Sequence, residues 1–205
     1  MEKIDLKKEL KQFYKPSSKK IEIIDVPEFN YISLEGKGNP NNSSEFEEAI
    51  GALYAVAYTA KFSAKQENGM TDFVVMPLEG LWWAKDFEDF VLDNKDNWEW
   101  RLMIHMPGFI TEDFINSNKA KAFEKKGLSG INDVKFEKYH EGISVQTLYI
   151  GPYSNEHETI KAMHDYAEGE GYDLDGLHHE IYLGDPRKVA PEKLKTVLRQ
   201  PVKKK

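Results

Sequence analysis

Along the stretch HHEIY at 178–182, His178, Glu180 and Tyr182 fall on alternate positions. Alternate residues of an extended chain share a face, so an imidazole, a carboxylate and a phenol would project together. His179, Ile181 and Leu183 would project to the other side. If one face packs on a core, Glu180 points into solvent or into a pocket. The plain structural use of such a residue is a solvated strand position or an ion pair with Arg101 or Arg187. The chemical use is sharper. Among aromatic walls, desolvation disfavours the carboxylate and raises its pKa, which suits a general base acting on water or a counter-charge for a cation. Tyr149, on another strand-like segment, is a second candidate catalytic group, able to hydrogen-bond a developing negative charge.

Aromatic residues are plentiful and locally concentrated. Trp82, Trp83, Trp98 and Trp100 fall between positions 82 and 100, close in sequence to Glu79. Tyr54 and Tyr58 are four residues apart, one helical turn. Such rings usually pack a core, but a group of them beside a carboxylate also suits a flat apolar or cationic ligand. The candidate ligand-binding set is therefore Tyr54, Tyr58, Glu79, Trp82, Trp83, Trp98, Trp100, His178 and Tyr182, with Glu180 and Tyr149 as candidate catalytic residues.

Other chemistries lack their motifs. There is no GxxxxGK[ST] phosphate loop, EGKGNP carries two of the three glycines of a dinucleotide fingerprint, and neither HExxH nor GxSxG occurs. His178, His179 and Glu180 offer metal-ligand types, but strand alternation separates His179 from the other two, and no metal or cofactor is expected. The chain has no cysteine, which removes disulfides and thiolate chemistry.

The elements that must position these groups are legible in outline. Leu6, Leu10 and Phe13 predict a short helix ended by Pro16; KKIEIIDVP predicts a strand closed by Pro27, and FNYISLEGKG another. SSEFEEAIGALYAVAYTAKF opens with Ser44 and Glu47 at capping-box spacing and predicts a long helix. DFVVMPLEGLWW and WEWRLMIHMP predict strands separated by an acidic loop at 84–97. A helix is expected from Thr111 to about Gly127. ISVQTLYIGPYS then predicts a strand, the segment from an Asn155 cap to the glycines at 169 and 171 a helix, and HHEIYLGDP and KTVLRQPV two more strands. The order strand, helix, strand, strand thus occurs twice, and two small α+β modules would pair and share a cleft.

Composition frames this reading. The chain has 205 residues, 40% hydrophobic and 31% charged, with a net charge of -7. That is a globular composition, and the charge disfavours direct nucleic-acid binding. Seven lysines within residues 3 to 20 and the closing KKK read as solvated ends. No apolar run approaches the roughly 20 residues of a membrane span, and no secretory signal is visible, so a cytoplasmic location and no membrane partner are expected.

Taken together, LYAVAYTAKF, PLEGLWW, WEWRLMIHMP, IGPYSNEHETIKAMH and HHEIYLGDPRKVAPEKLKTVLRQPV resemble the GyrI-like small-molecule-binding family. That family is related to the gyrase inhibitory protein SbmC and to effector-binding domains of multidrug-responsive regulators such as BmrR. The resemblance implies an α+β fold of two pseudo-symmetric strand-helix-strand-strand modules with antiparallel sheets flanking a central ligand cleft. An N-terminal docking segment (1–18) would precede a single domain (19–205), its modules meeting near 108–109. It also implies that Glu180 matches the glutamate at the bottom of the regulators' aromatic pocket, and that some free-standing relatives hydrolyse cyclopropane-bearing genotoxins. No helix-turn-helix is recognisable. Three roles follow from the resemblance: a cyclopropane-opening hydrolase, a protein that sequesters or senses hydrophobic cations, or a gyrase-inhibitor-like protein with a protein partner.

Overall fold

The computed structural model describes residues 3–66, 70–84 and 95–205. In chain order the elements are α1 (Leu6–Glu9), α2 (Lys11–Tyr14), β1 (Glu22–Lys37), α3 (Ser44–Gln66), β2 (Leu78–Ala84), β3 (Trp98–Met106), α4 (Glu112–Lys126), β4 (Lys135–Ile150), α5 (His157–Gly169), β5 (Tyr172–Leu174), β6 (His178–Tyr182) and β7 (Lys195–Lys204). The acidic loop expected at 84–97 lies mostly outside the described residues. Among the described residues no helix is long and apolar enough to cross a membrane.

The fold is α+β with antiparallel strand ladders, and the chain divides into two compact units. The first comprises 1–6 and 29–139, the second 7–28 and 140–205. Each repeats the predicted order: 29–37 of β1, then α3, β2 and β3 in the first; 140–150 of β4, then α5, β6 and β7 in the second.

In the first unit β3 is central, with Asn30–Lys37 of β1 on one side and β2 on the other. Ile32, Leu34, Leu102, Ile104 and Leu78 share one face by register. The stripe Ala49, Leu53, Val56, Ala57, Ala60 and Ala64 of α3 is buried, its small alanines allowing close approach. Ser43 caps this helix, accepting from the Phe46 amide at 3.2 Å, one residue before the predicted cap. α4 follows its predicted punctuation: Thr111 accepts from the Phe114 amide, and Gly127 closes the helix at φ 65°.

In the second unit β7 pairs with β4 and β6 and, at its far end, with β5. Val145, Leu198 and Val202 share a core with Met163 and Ala167 of α5. The helix begins at His157 rather than at an Asn155 cap, because Tyr153–Asn155 is first drawn into a 3-10 turn.

Two predicted strands prove to be one. β1 runs through Pro27 without a break, since its ladder with β3 begins only at Asn30 and the missing proline N–H removes no bond from it. DFVVMPLEGLWW, conversely, forms a strand only from Leu78, with Phe73 making an isolated bridge to Ile4.

Candidate functional site

Strand alternation holds at β6, but the packing differs from the expectation. Register pairs Glu180 with Leu198 and Tyr182 with Thr196 on β7, and Leu198 belongs to the core under α5. The face bearing Glu180 is therefore the helix-covered one. The opposite face is buried as well, with His179 and Ile181 both at 0% exposure. Glu180 points neither to solvent nor away from a core; it lies beside one, its side chain 12% exposed.

What surrounds the carboxylate explains how it is tolerated there. Tyr182 donates its hydroxyl to Glu180 Oε2 at 2.7 Å, and His178 Nε2 stands 3.3 Å from Oε1. Glu156, immediately before α5, forms a third side-chain hydrogen bond. Burial pushes the Glu180 pKa up, but the His178 bond and charge, then the Tyr182 and Glu156 bonds, outweigh it, and the net direction is down. The predicted upward shift is thus reversed: several donors stabilise the anion more than desolvation destabilises it. Glu180 pairs with neither expected arginine. Arg101 engages Glu35 and Glu137, and Arg187 engages Asp185.

Four residues absent from the sequence-based set complete the cluster: Tyr153, Glu156, His164 and Thr196. The Tyr153 ring meets the Tyr182 ring edge-on at 5.6 Å. Burial, then the Glu180 and Glu156 charges and Asp185, push the Tyr153 phenol up to about 12, so it remains a hydrogen-bond donor. His164 of α5 is lowered to about 4, first by burial and then by His178, and is neutral at physiological pH. Among the described residues its Nε2 is buried with no hydrogen-bond partner, and so is the hydroxyl of Thr196, a residue at 0% exposure. Thr196 is the register partner of both Tyr149 and Tyr182, which places it on the Glu180 face. Tyr149 shares this face, but its hydroxyl donates to the Pro152 carbonyl at 3.0 Å. Tyr153 and Glu156 belong to the GPYSNEH turn, where a tyrosine and a carboxylate three residues apart lead into a helix.

The opposite face of the same sheet holds a different buried carboxylate. Glu141 accepts from Arg199 Nη1 at 2.9 Å and lies 2.9 Å from His179 Nδ1. Arg199 also bonds Gln146 Oε1 and the Phe13 carbonyl, and Gln146 Nε2 donates to the Gln12 carbonyl. Burial pushes Glu141 up, but the charges of His179 and Arg199 overcome it and hold the carboxyl at about 2.

In the first unit the aromatic group divides by strand face. Trp82 and Trp100 are register partners on the face of Leu102 and Ile104. Phe46 of α3 packs against both, at 5.8 and 5.2 Å, and Trp98 meets Trp82 at 5.7 Å. Trp100 is fully buried over Gly36, where a Cβ would fall 2.2 Å from the indole. Trp83 and Glu79 alternate onto the other face, so among the four candidate indoles only Trp83 lies on the Glu79 side of the strand ladder. Trp83 donates its indole N–H to Glu99 at 2.5 Å. Glu79 is fully buried near His105, whose pKa burial lowers to about 4 against the pull of Glu79. Tyr54 and Tyr58 meet at a tilt along α3, 6.2 Å apart beside its buried stripe, Tyr58 being 48% exposed. Among the described residues no group of three or more His, Asp and Glu is arranged to hold a metal ion.

Comparison with known proteins places this geometry in context. The model of the GyrI-like small molecule binding domain matches residues 19–203. An uncharacterized conserved protein from Listeria innocua is 44% identical and superposes with a TM-score of 0.92, covering 98% of this chain and 100% of its own. A hydrolase from Listeria innocua is 42% identical, with a TM-score of 0.87 over the same shares of the two chains. The EcmrR C-terminal domain shares the fold at 14% identity and a TM-score of 0.58, covering 91% of this chain and 98% of its own. A search of curated proteins finds no match.

Proposed function

The chain belongs to the GyrI-like small molecule binding domain family, and from that premise we propose that it hydrolyses planar, cyclopropane-bearing alkylators, with Glu180 handling the water. The carrying observation is the buried Glu180 carboxylate, kept anionic by Tyr182, His178 and Glu156 within hydrogen-bonding reach of aromatic side chains. The 42% identical hydrolase supports hydrolysis as the class of reaction.

In this reading the water oxygen bonds to a ring carbon as the strained carbon–carbon bond breaks. The released electron pair runs through the conjugated system to the carbonyl oxygen, which takes up a proton; Glu180 accepts the proton of the attacking water. One water is added and no redox partner is needed. A carboxylate of lowered pKa is a weak base, so it orients the water first and takes its proton as the new C–O bond makes that proton acidic. Tyr153 supplies a ring edge and a hydroxyl to the substrate, and Tyr182 a ring edge, its hydroxyl being donated to Glu180. Tyr149, committed to Pro152, serves by shaping the turn that presents Tyr153.

The test is to incubate the protein with excess cyclopropane-bearing alkylator and follow the ring-opened product chromatographically, beside Glu180→Gln. Multiple turnovers abolished by the substitution support the reading. Stoichiometric binding without product refutes hydrolysis and leaves a second reading, sequestration of a hydrophobic cation by the Glu180 anion, which its lowered pKa favours. Binding of a protein partner that is unaffected by Glu180→Gln would sink both.

A further inference from the structure

The needs of a strand do not account for Thr196. Threonine suits β structure through its branched Cβ, but valine offers the same shape and the same preference without a hydroxyl. β7 uses valine twice, at Val197 and Val202. Thr196 is at 0% exposure, and among the described residues its hydroxyl has no hydrogen-bond partner. A buried polar group left unbonded costs stability, so this hydroxyl calls for a partner from outside the fold.

The sheet register fixes where that partner would lie. Thr196 pairs with Tyr149 on β4 and with Tyr182 on β6, so a tyrosine flanks it on either side, the Cβ atoms roughly 5 Å away. Both phenols are committed elsewhere: Tyr149 donates to the Pro152 carbonyl at 3.0 Å and Tyr182 to Glu180 Oε2 at 2.7 Å. Both tyrosines are only partly buried, whereas Thr196 is the first buried residue of β7. The hydroxyl is thus a floor group between two aromatic side chains. The backbone around it is fixed, the Gly151 amide donating to the Leu194 carbonyl at 3.0 Å and the Leu183 amide to the Lys195 carbonyl at 2.9 Å. Glu180 pairs with Leu198, which makes it the diagonal neighbour of Thr196 on the same face, a spacing of roughly 7–8 Å along such a ladder. That spacing suits a flat molecule with one polar atom at each end.

We propose that Thr196 is a ligand-contacting residue of this site, its hydroxyl donating a hydrogen bond to a carbonyl oxygen of a flat bound molecule whose other end lies at Glu180. The contact itself does not depend on turnover. Its part in a reaction rests on the hydrolytic reading above: the carbonyl oxygen gains the electron pair as the ring opens, and the bond from Thr196 strengthens with that charge. No proton passes along this bond, since an aliphatic hydroxyl keeps its own. Thr196 thereby fills the role that Tyr149 leaves open while it donates to Pro152.

Thr196→Val and Thr196→Ser in the full chain test the contact through two readouts of opposite sign. Without ligand, Thr196→Val should leave the thermal midpoint unchanged or raise it, because an unbonded polar group is removed at constant shape. A clear fall in that midpoint assigns the hydroxyl to the fold and overturns the proposal. With a spirocyclopropyl cyclohexadienone in excess, kcat of Thr196→Val should fall by about 10²-fold, and Thr196→Ser should restore most of it. Wild-type turnover in the valine variant overturns the proposal. If the wild type binds this compound without turning it over, only hydrolysis fails, and the contact is read from quenching of protein fluorescence. A Kd weakened about tenfold in the valine variant and recovered in the serine variant then supports it, and equal Kd values overturn it. A wild type that neither binds nor turns over the compound overturns both readings.

Discussion

His179 and Glu180 are chain neighbours on one strand, and they serve two buried carboxylates of opposite character. On the His179 face, Glu141 is neutralised by the Arg199 guanidinium, which itself bonds the Phe13 carbonyl and, through Gln146, is tied to the Gln12 carbonyl. On the Glu180 face, among the described residues, the groups that bond the carboxylate are the Tyr182 phenol, the His178 imidazole and the Glu156 side chain, with no arginine or lysine among them. A charge matched by a fixed cation is spent on architecture. A charge held by an imidazole and a phenol, with no fixed guanidinium matched to it, keeps more of its field available to a ligand. The difference lies in the partners rather than in the residue type, since both anions are glutamates with depressed pKa values.

The strongest way to break this comparison is to remove the fixed cation. Arg199→Met leaves the Glu141 carboxylate buried beside an uncompensated partner set, and should cost about 3–5 kcal/mol in urea unfolding. A loss near zero would show that Glu141 is not held by Arg199. Glu180→Gln should reverse the ranking: turnover or ligand affinity falls by about 10²-fold or more, while the unfolding midpoint moves less than for Arg199→Met. Equal destabilisation by both substitutions would erase the distinction drawn here.

Subtler changes sharpen it. Tyr182→Phe removes one donor from the Glu180 anion, so its pKa should climb, visible as an upward shift in a carboxyl titration followed by infrared spectroscopy. An unchanged titration would mean that His178 and Glu156 suffice. Acid should affect the Glu141 face late. The Glu141 pKa is depressed from 4.5 to about 2, so its contribution to stability is complete above 4.5 and is lost as pH falls towards 2. His164, also depressed, to about 4 from 6.5, resists protonation in the fold, so it subtracts stability from pH 6.5 down to about 4. Replacing His164 with glutamine should flatten the stability profile between those two values and leave the lower window intact, measurable as thermal midpoints across pH.

Much of this was readable from residue order. Strand alternation predicted that His178, Glu180 and Tyr182 share a face, and capping and glycine signals placed α4, because both are local properties of a few neighbouring residues. Pro27 misled because whether a proline breaks a strand depends on which ladder its nitrogen would have joined. The tryptophans could not be divided from their clustering in sequence alone: Trp82 and Trp83 necessarily alternate, and only the ladder with β3 shows that Trp82 joins Trp100. Tyr153 and Glu156 went unassigned because their part in the cluster comes from a 3-10 turn that brings them against a strand more than twenty residues away.

The sequence by itself determined the α+β order, the repeated strand-helix-strand-strand pattern, the family and the set of groups on one side of β6, since periodicity, capping and motif content are carried by local spacing. Only the tertiary structure decided that Glu180 faces a helix-covered core, that its pKa falls rather than rises, and that Glu156 joins it. Those outcomes depend on which donors reach a buried anion, and the donors come from segments whose proximity is created by folding.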